Sequence, residues 1–482
     1  MSASDSKAAL PWSLRLSYAA GQFPEGIKSA AFGFYLLFYY NQVLGLDARL
    51  ASLAIFLALL IDAVSDPVVG AWSDFTRSRM GRRHPWMYAA AIPFALLFAG
   101  IFAPPDGLGQ AGLFLWLLTF TAATRTAMTF YTVPYMSMGA ELSSDYDERT
   151  LLASLRNVFQ LLGMFAVLIG ANMAFFAATE AYPNGQLNPD AYVRLGMAGA
   201  PLLVLGILVA AIGTHRQIPH LHAPAPGSHF AWSAVVNGVL TAFRIPAFTA
   251  LVAASIIFGI TQGLVQALTL YTSTYFFELT TGQTSMLFAV AVTGIVTGSL
   301  LSQPVSTRIG EKRTTFAAGL AWYALFTSSV IILKLLGAFP EDAQTLVAGL
   351  YIASAFVSAL GLGVAIPMIG AMVADITDEH ERLHGQRQEG TYFAAASFAG
   401  KIVGGAGPVM AGYVITWSGI TPGADPASVP AHVIDRFGWI QGPLVIVLSA
   451  LCIIAIRFYD LTRIRHGEIL AEVAARKVKA GA

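Results

Sequence analysis

Cysteine is almost absent: Cys452 is the only one in 482 residues. That excludes an intrachain disulfide and leaves the redox compartment unread. Charge is scarce too, with Asp, Glu, Lys and Arg making up 11% of the chain against about 25% in soluble globular proteins. The net charge of +1 leaves no electrostatic footprint for nucleic acid. The opening residues MSASDSKAALPW lack the apolar core and small-residue cleavage site of a secretory signal, so insertion is expected to rely on the first membrane helix. There is no Cys/His metal spacing, no Gly-rich loop followed by Lys-Ser/Thr and no nucleophile elbow. Neither an enzyme nor a cofactor is expected. His84, His380 and His384 fall in connecting segments and read as solvated.

What the chain has is apolar length. It is 56% hydrophobic, with a mean hydropathy of +0.64. Runs long enough to span a bilayer, about 20 residues each, fall near 16–41, 49–72, 87–103, 112–140, 151–177, 194–214, 246–278, 283–307, 315–337, 345–374, 391–418 and 438–459. The expectation is an all-α membrane protein of twelve transmembrane helices. Lys and Arg placement orients it. With both termini cytoplasmic, the inside segments take Arg77, Arg79, Arg82, Arg83 and the basic tail from Arg457 to Lys479, while the outside segments hold Arg49, Arg194 and Arg436. Lys28, Arg125, Lys334 and Lys401 lie within the apolar runs.

The longest inside connection, 215–245, carries the soft sequence HAPAPGSH. It divides the chain into a six-helix bundle over 1–214, a second over 246–459 and a cytoplasmic tail over 460–482. A weak repeat supports duplication. Ala140-Glu-Leu-Ser followed by Asp145-Tyr-Asp-Glu-Arg149 recurs as Ala374-Asp-Ile-Thr followed by Asp378-Glu-His-Glu-Arg382, at the inner end of the fourth helix of each half. The architecture implied is two bundles around a polar cavity open to one side of the membrane at a time.

Asp62 and Asp66 stand in the second run. A carboxylate at bilayer depth costs about 2.5–3.5 kcal/mol on insertion scales. Four residues apart, the two share one helix face. They will not both stay ionised without a cation or a positive side chain nearby. The pair reads as a cation or proton site; the plainer reading is pairing with buried Arg125 or Lys401. Arg125 can neutralise that pair or offer a fork to an anionic substrate, and the first is preferred because the acids need a counter-charge when no cation is bound. Arg156 and Gln160 offer donors on one face of the fifth helix, although a cytoplasmic anchor explains Arg156 equally well. The seventh helix carries Thr261, Gln262, Gln266, Thr269, Tyr271, Thr272 and Tyr275, suited to hydrogen-bonding hydroxyl groups along a cavity. Tyr35, Tyr39 and Tyr40 read as an interfacial belt in preference to sugar-stacking rings.

The segment Gly70-Ala-Trp-Ser-Asp-Phe-Thr-Arg-Ser-Arg-Met-Gly-Arg-Arg83 resembles the helix 2–3 signature of the major facilitator superfamily. Further segments follow in collinear order: Arg15-Leu-Ser-Tyr-Ala-Ala-Gly21, Asp62-Ala-Val-Ser-Asp-Pro67, Thr76-Arg-Ser-Arg-Met-Gly-Arg-Arg-His-Pro-Trp86, Val133-Pro-Tyr, Asp147-Glu-Arg-Thr150, and Glu389-Gly-Thr-Tyr-Phe393 leading to Lys401. Together they resemble the glycoside–pentoside–hexuronide:cation symporters, the group that contains melibiose permease.

The resemblance implies the major facilitator fold and a coupling site for Na+ or H+ at Asp62, Ser65, Asp66 and Thr129. Ser65 departs from the asparagine of melibiose permease and reaches less far. The sugar-binding acids of that permease correspond to Gly26 and Thr132 here, so the acidic clamp is missing. Glu25 is a candidate substitute, and with Lys28 it is equally readable as an i, i+3 salt bridge. Lys401 is implied to face the cation site or the substrate. The expected function is cation-coupled symport of a glycoside or related sugar by alternating access, by a monomer in the bacterial inner membrane. The alternatives are an amphipathic or anionic substrate such as a lysophospholipid and, in another class, a non-transporting sensor or polytopic enzyme.

Overall fold

Inside a bilayer every backbone N–H and C=O must find a partner within the protein, and a helix provides this for each apolar run by itself. The computed structural model describes residues 10–143, 145–221, 243, 245–340, 343–384 and 405–481, and their regular structure is entirely helical. Ten of the described helices are long and apolar enough to cross a membrane. Two expected spans are not among them. The first is broken into shorter pieces, and the eleventh is described as helix only over Ala406–Ser418. The chain divides into two compact units, Met1–Phe230 and Ala231–Ala482.

In the first unit the opening span consists of Trp12–Ala20, Phe23–Ala30 and two π-type turns, Ala31–Tyr35 and Tyr39–Val43. Pro24 lacks an N–H and interrupts the ladder near Gly21 and Gln22. Carbonyls near this break are met by the fourth span, Gln110–Leu142: Tyr131 donates to the Gly21 carbonyl and Tyr135 to that of Tyr18, both at 2.8 Å. Glycine is needed at 21, where a Cβ would lie 2.3 Å from the Tyr131 hydroxyl. The remaining spans of this unit are Ala48–Phe75, His84–Ile101, the fifth from Tyr146–Phe165 through a π-type turn to Phe175, and Pro189–Thr214.

Two expectations change here. Tyr35, Tyr39 and Tyr40 form neither a belt nor a stacking platform; they are 0%, 1% and 0% exposed. Tyr39 and Tyr40 donate to the carbonyls of Phe102 and Ile101 and so cap the third span. His84 and His380 are buried rather than solvated, and His84 Nε2 lies 3.0 Å from Thr214 Oγ1.

The second unit contains Pro246–Tyr271 with a π-type turn to Phe276, then Thr281–Ile309, Lys312–Leu335, Gln344–His384, Ala406–Ser418, Ala431–Ile456 and a tail helix, Arg463–Gly481. The eighth and tenth spans cross where glycines let backbones touch, since a Cβ on Gly298 would fall 2.2 Å from the Leu360 carbonyl oxygen and one on Gly363 2.3 Å from that of Ile295. Small residues are the usual means of close helix contact in lipid, where no hydrophobic force draws helices together. Lys334, expected within an apolar span, lies at the end of the ninth, donating to the Phe276 carbonyl over the Phe276 ring.

The repeat has a structural counterpart within each unit. Glu141 accepts from Arg82 at 2.6 Å and Arg83 at 3.1 Å, while Asp375 accepts from Lys312 at 2.6 Å. In both cases the cation comes from the start of the third helix of that half or the turn before it. The copies then diverge. The first breaks after Leu142 and restarts at Tyr146, with Asp145 capping the Glu148 N–H. The second runs on as helix to His384.

Candidate functional site

The second span, Ala48–Phe75, starts on an Asp47 cap whose side chain accepts from the N–H groups of Arg49 and Leu50. Fourteen to eighteen residues further, about 21–27 Å along a helix rising 1.5 Å per residue, it presents Asp62 and Asp66 on one face. The fourth span supplies what they meet. Thr129 Oγ1 lies 3.0 Å from Asp62 Oδ1 and 2.9 Å from Asp66 Oδ1, and also 3.1 Å from the Arg125 carbonyl one turn back. One hydroxyl proton cannot serve three acceptors. The hydroxyl can donate to only one carboxylate at a time, so its contact with the other is completed by a proton on that carboxyl group or a cation between the oxygens.

Arg125 provides part of that charge. Its Nη1 is 3.6 Å from Asp62 Oδ2, and the two side chains are 11% and 8% exposed. The guanidinium carbon sits 5.3 Å from the Phe32 ring of the first span. Arg125 Nε is buried without a hydrogen-bond partner, so the fork is held on one side only. Glu25 and Asp66 also act on the guanidinium by Coulomb attraction. Ser65 lies between the acids in sequence, but its hydroxyl donates to the Asp62 carbonyl at 3.0 Å, along its own helix.

The expected substrate residues are placed less uniformly. Lys28 donates to Glu25 Oε1 at 2.7 Å and Ser29 to the same oxygen at 2.9 Å, which forms the i, i+3 salt bridge. Arg156 Nη1 donates to the Tyr18 hydroxyl at 3.3 Å, and that ring stacks on Tyr135. Gln160 packs through its backbone: a Cβ on Gly26 would be 2.0 Å from the Gln160 carbonyl oxygen. This is the physical reason an acid cannot stand at position 26. Thr132 Oγ1 and Arg156 Nε in the first unit, and Gln262 Nε2 in the second, are buried without hydrogen-bond partners. Gln266 is half-buried. Lys401 and the segment Glu389–Phe393 lie outside the described residues.

Sequence reasoning missed Phe32 and the Tyr18, Tyr131 and Tyr135 cluster. Tyr131 and Tyr135 are four apart, a spacing that places both on one face of the fourth span and was available as a signal.

The family described as MFS/sugar transport protein matches residues 17–463. A putative glycoside/cation symporter of Escherichia coli is 24% identical, covering 97% of this chain and 96% of its own length. The isoprimeverose transporter of Lactiplantibacillus pentosus is 23% identical over 98% of this chain and 93% of itself. Among solved structures, that of a D-xylose-proton symporter superposes with a TM-score of 0.62 at 15% identity, covering 92% of this chain and 97% of that one.

Proposed function

Because this chain belongs to the MFS/sugar transport protein family, we propose that it is a symporter that couples a glycoside or related sugar to a cation bound at Asp62, Asp66 and Thr129. At the coarser level it is a multi-pass membrane transporter of the major facilitator fold and not an enzyme. The observation that carries the finer reading is the Thr129 hydroxyl held within 3.0 Å of both carboxylates. Two carboxylates this close, with one guanidinium beside them, keep an excess negative charge that a cation or proton offsets. Relatives named as a glycoside/cation symporter and an isoprimeverose transporter support the substrate class.

In this mechanism the cation cancels the repulsion between Asp62 and Asp66 and fixes the second span against the fourth. If substrate binds better to that ordered arrangement, each ligand tightens the other by the same factor. Alternating access then carries both across, through rocking of the two halves. The sugar is met by neutral and basic groups, since position 26 is closed to side chains. Thr132 and Arg156 suit this role because each holds a buried polar atom in want of a partner. The positive-inside pattern supports a bacterial inner-membrane location with both termini in the cytoplasm.

Uptake by proteoliposomes containing only this protein tests the proposal. A panel of glycosides, uronic acids and lysophospholipids is offered under imposed Na+ and H+ gradients. Accumulation of a glycoside above its equilibrium level is expected, and Asp66→Asn should reduce it to passive equilibration while the protein still melts cooperatively. Undiminished accumulation in that variant would sink the coupling assignment. Transport of lysolipid but of no sugar would overturn the substrate class.

A further inference from the structure

Resting on the symport reading above, we propose that Arg125 is a tethered counter-cation that takes the electrostatic place of Na+ at the Asp62/Asp66 pair and makes the transporter indifferent to Na+. Three features of the first unit lead there. Arg125 and Thr129 lie one turn apart on the fourth span, so guanidinium and hydroxyl converge on the same carboxylates. Thr129 takes Oδ1 of Asp62 at 3.0 Å while Arg125 faces Oδ2 at 3.6 Å.

Second, the guanidinium is a fixture of the site. Phe32 backs it at 5.3 Å, its side chain is 11% exposed, and the charges of Glu25 and Asp66 also hold it. An arginine does not lose its proton in proteins, so this charge is present whenever the acids are. The contact is nevertheless looser than the 2.6 Å Arg15–Glu148 ion pair at the inner end of the same unit. Arg125 thus neutralises Asp62 without sealing its oxygens.

Third, the neutral side-chain oxygens at the pair are few among the described residues. Ser65 turns its hydroxyl to the Asp62 carbonyl, which leaves Thr129 as the neutral side-chain oxygen touching both acids. With Arg125 in place the two carboxylates carry one uncompensated charge between them, too little to repay the dehydration of Na+; without it the carboxylate oxygens and Thr129 would face that ion with a double charge. A second cation would also stand beside a guanidinium that cannot leave its tether.

The test is the melting temperature of the purified full-length protein in NaCl and in choline chloride at equal ionic strength, with Na+ itself as the probe. Wild type and Arg125→Lys should melt alike in both salts. Arg125→Leu should gain a Na+-specific rise of a few degrees, and Arg125→Leu with Asp66→Asn should lose it. A wild type stabilised by Na+ overturns the proposal whether or not the leucine variant folds. So does an Arg125→Leu protein that melts cooperatively and remains blind to Na+. Failure of the underlying symport reading looks different: concentrative uptake would persist in Asp66→Asn, whatever Na+ does to the melting temperature.

Discussion

The second helices of the two halves solve opposite problems. Ala48–Phe75 carries Asp62 and Asp66 and meets the fourth span through a hydroxyl and a guanidinium. Its Gly70 has an ordinary neighbour, Val133, at 3.6 Å from where a Cβ would stand. Thr281–Ile309 contains no carboxylate at all. It closes on the tenth span through Gly294 and Gly298, whose Cβ positions would sit 2.6 and 2.2 Å from backbone oxygens of Phe356 and Leu360. One helix meets its neighbour through charge and hydrogen bonds; the other meets its neighbour through close-packed glycines. If the halves arose by duplication, the chemistry stayed in one copy while the other kept the scaffold.

The comparison breaks most sharply at those glycines. Gly298→Val places side-chain atoms on a carbonyl that cannot retreat, so the variant should not be recovered as a folded protein by size-exclusion chromatography in detergent. Gly70→Ala should be recovered normally, with stability changed by less than about 1 kcal/mol, the scale of Gly-to-Ala helix propensity.

A smaller difference is expected at the inner ends. Removing Glu141 takes the 2.6 Å partner from Arg82 and one of two from Arg83, which keeps Asp74 at 2.6 Å; the two side chains are 16% and 5% exposed, so Glu141→Gln should cost about 1.5–3 kcal/mol, the scale of a hydrogen bond to a charged group. Asp375→Asn frees a Lys312 that is 38% exposed and able to reach water, which should hold the loss nearer about 1 kcal/mol. Equal drops in melting temperature would show that the two latches are equivalent after all. The smallest expected effect sharpens the picture of the first span: Tyr131→Phe removes the hydrogen bond to the Gly21 carbonyl and should cost about 1 kcal/mol by the same measurement.

Much of this is legible in the sequence. Apolar length announced the membrane helices, and an acid pair at i, i+4 announced a charge-handling site. The i, i+4 step from Arg125 to Thr129 put both on one face of the fourth span. What sequence could not show was how these faces meet. Tyr39 and Tyr40 have the composition of an interfacial belt, yet they cap the third span, because a phenol can bond a distant helix end as readily as a lipid headgroup. Gly26 stood out only as a missing acid until the crossing with Gln160 gave it a positive reason. The tenth span was expected to end near 374 and runs to His384, because charged residues can extend a helix past the apolar core.

The sequence by itself determined the solvent, the secondary structure and the location of the unusual charge, since burying backbone and carboxylates in lipid is constrained strongly enough to be read residue by residue. Only the tertiary structure decided partners: which oxygen faces Thr129, that Ser65 turns to its own helix, and that Arg125 stands at Asp62. Those choices depend on side-chain directions and helix crossings, which are settled by ångström-scale packing between segments far apart in the chain.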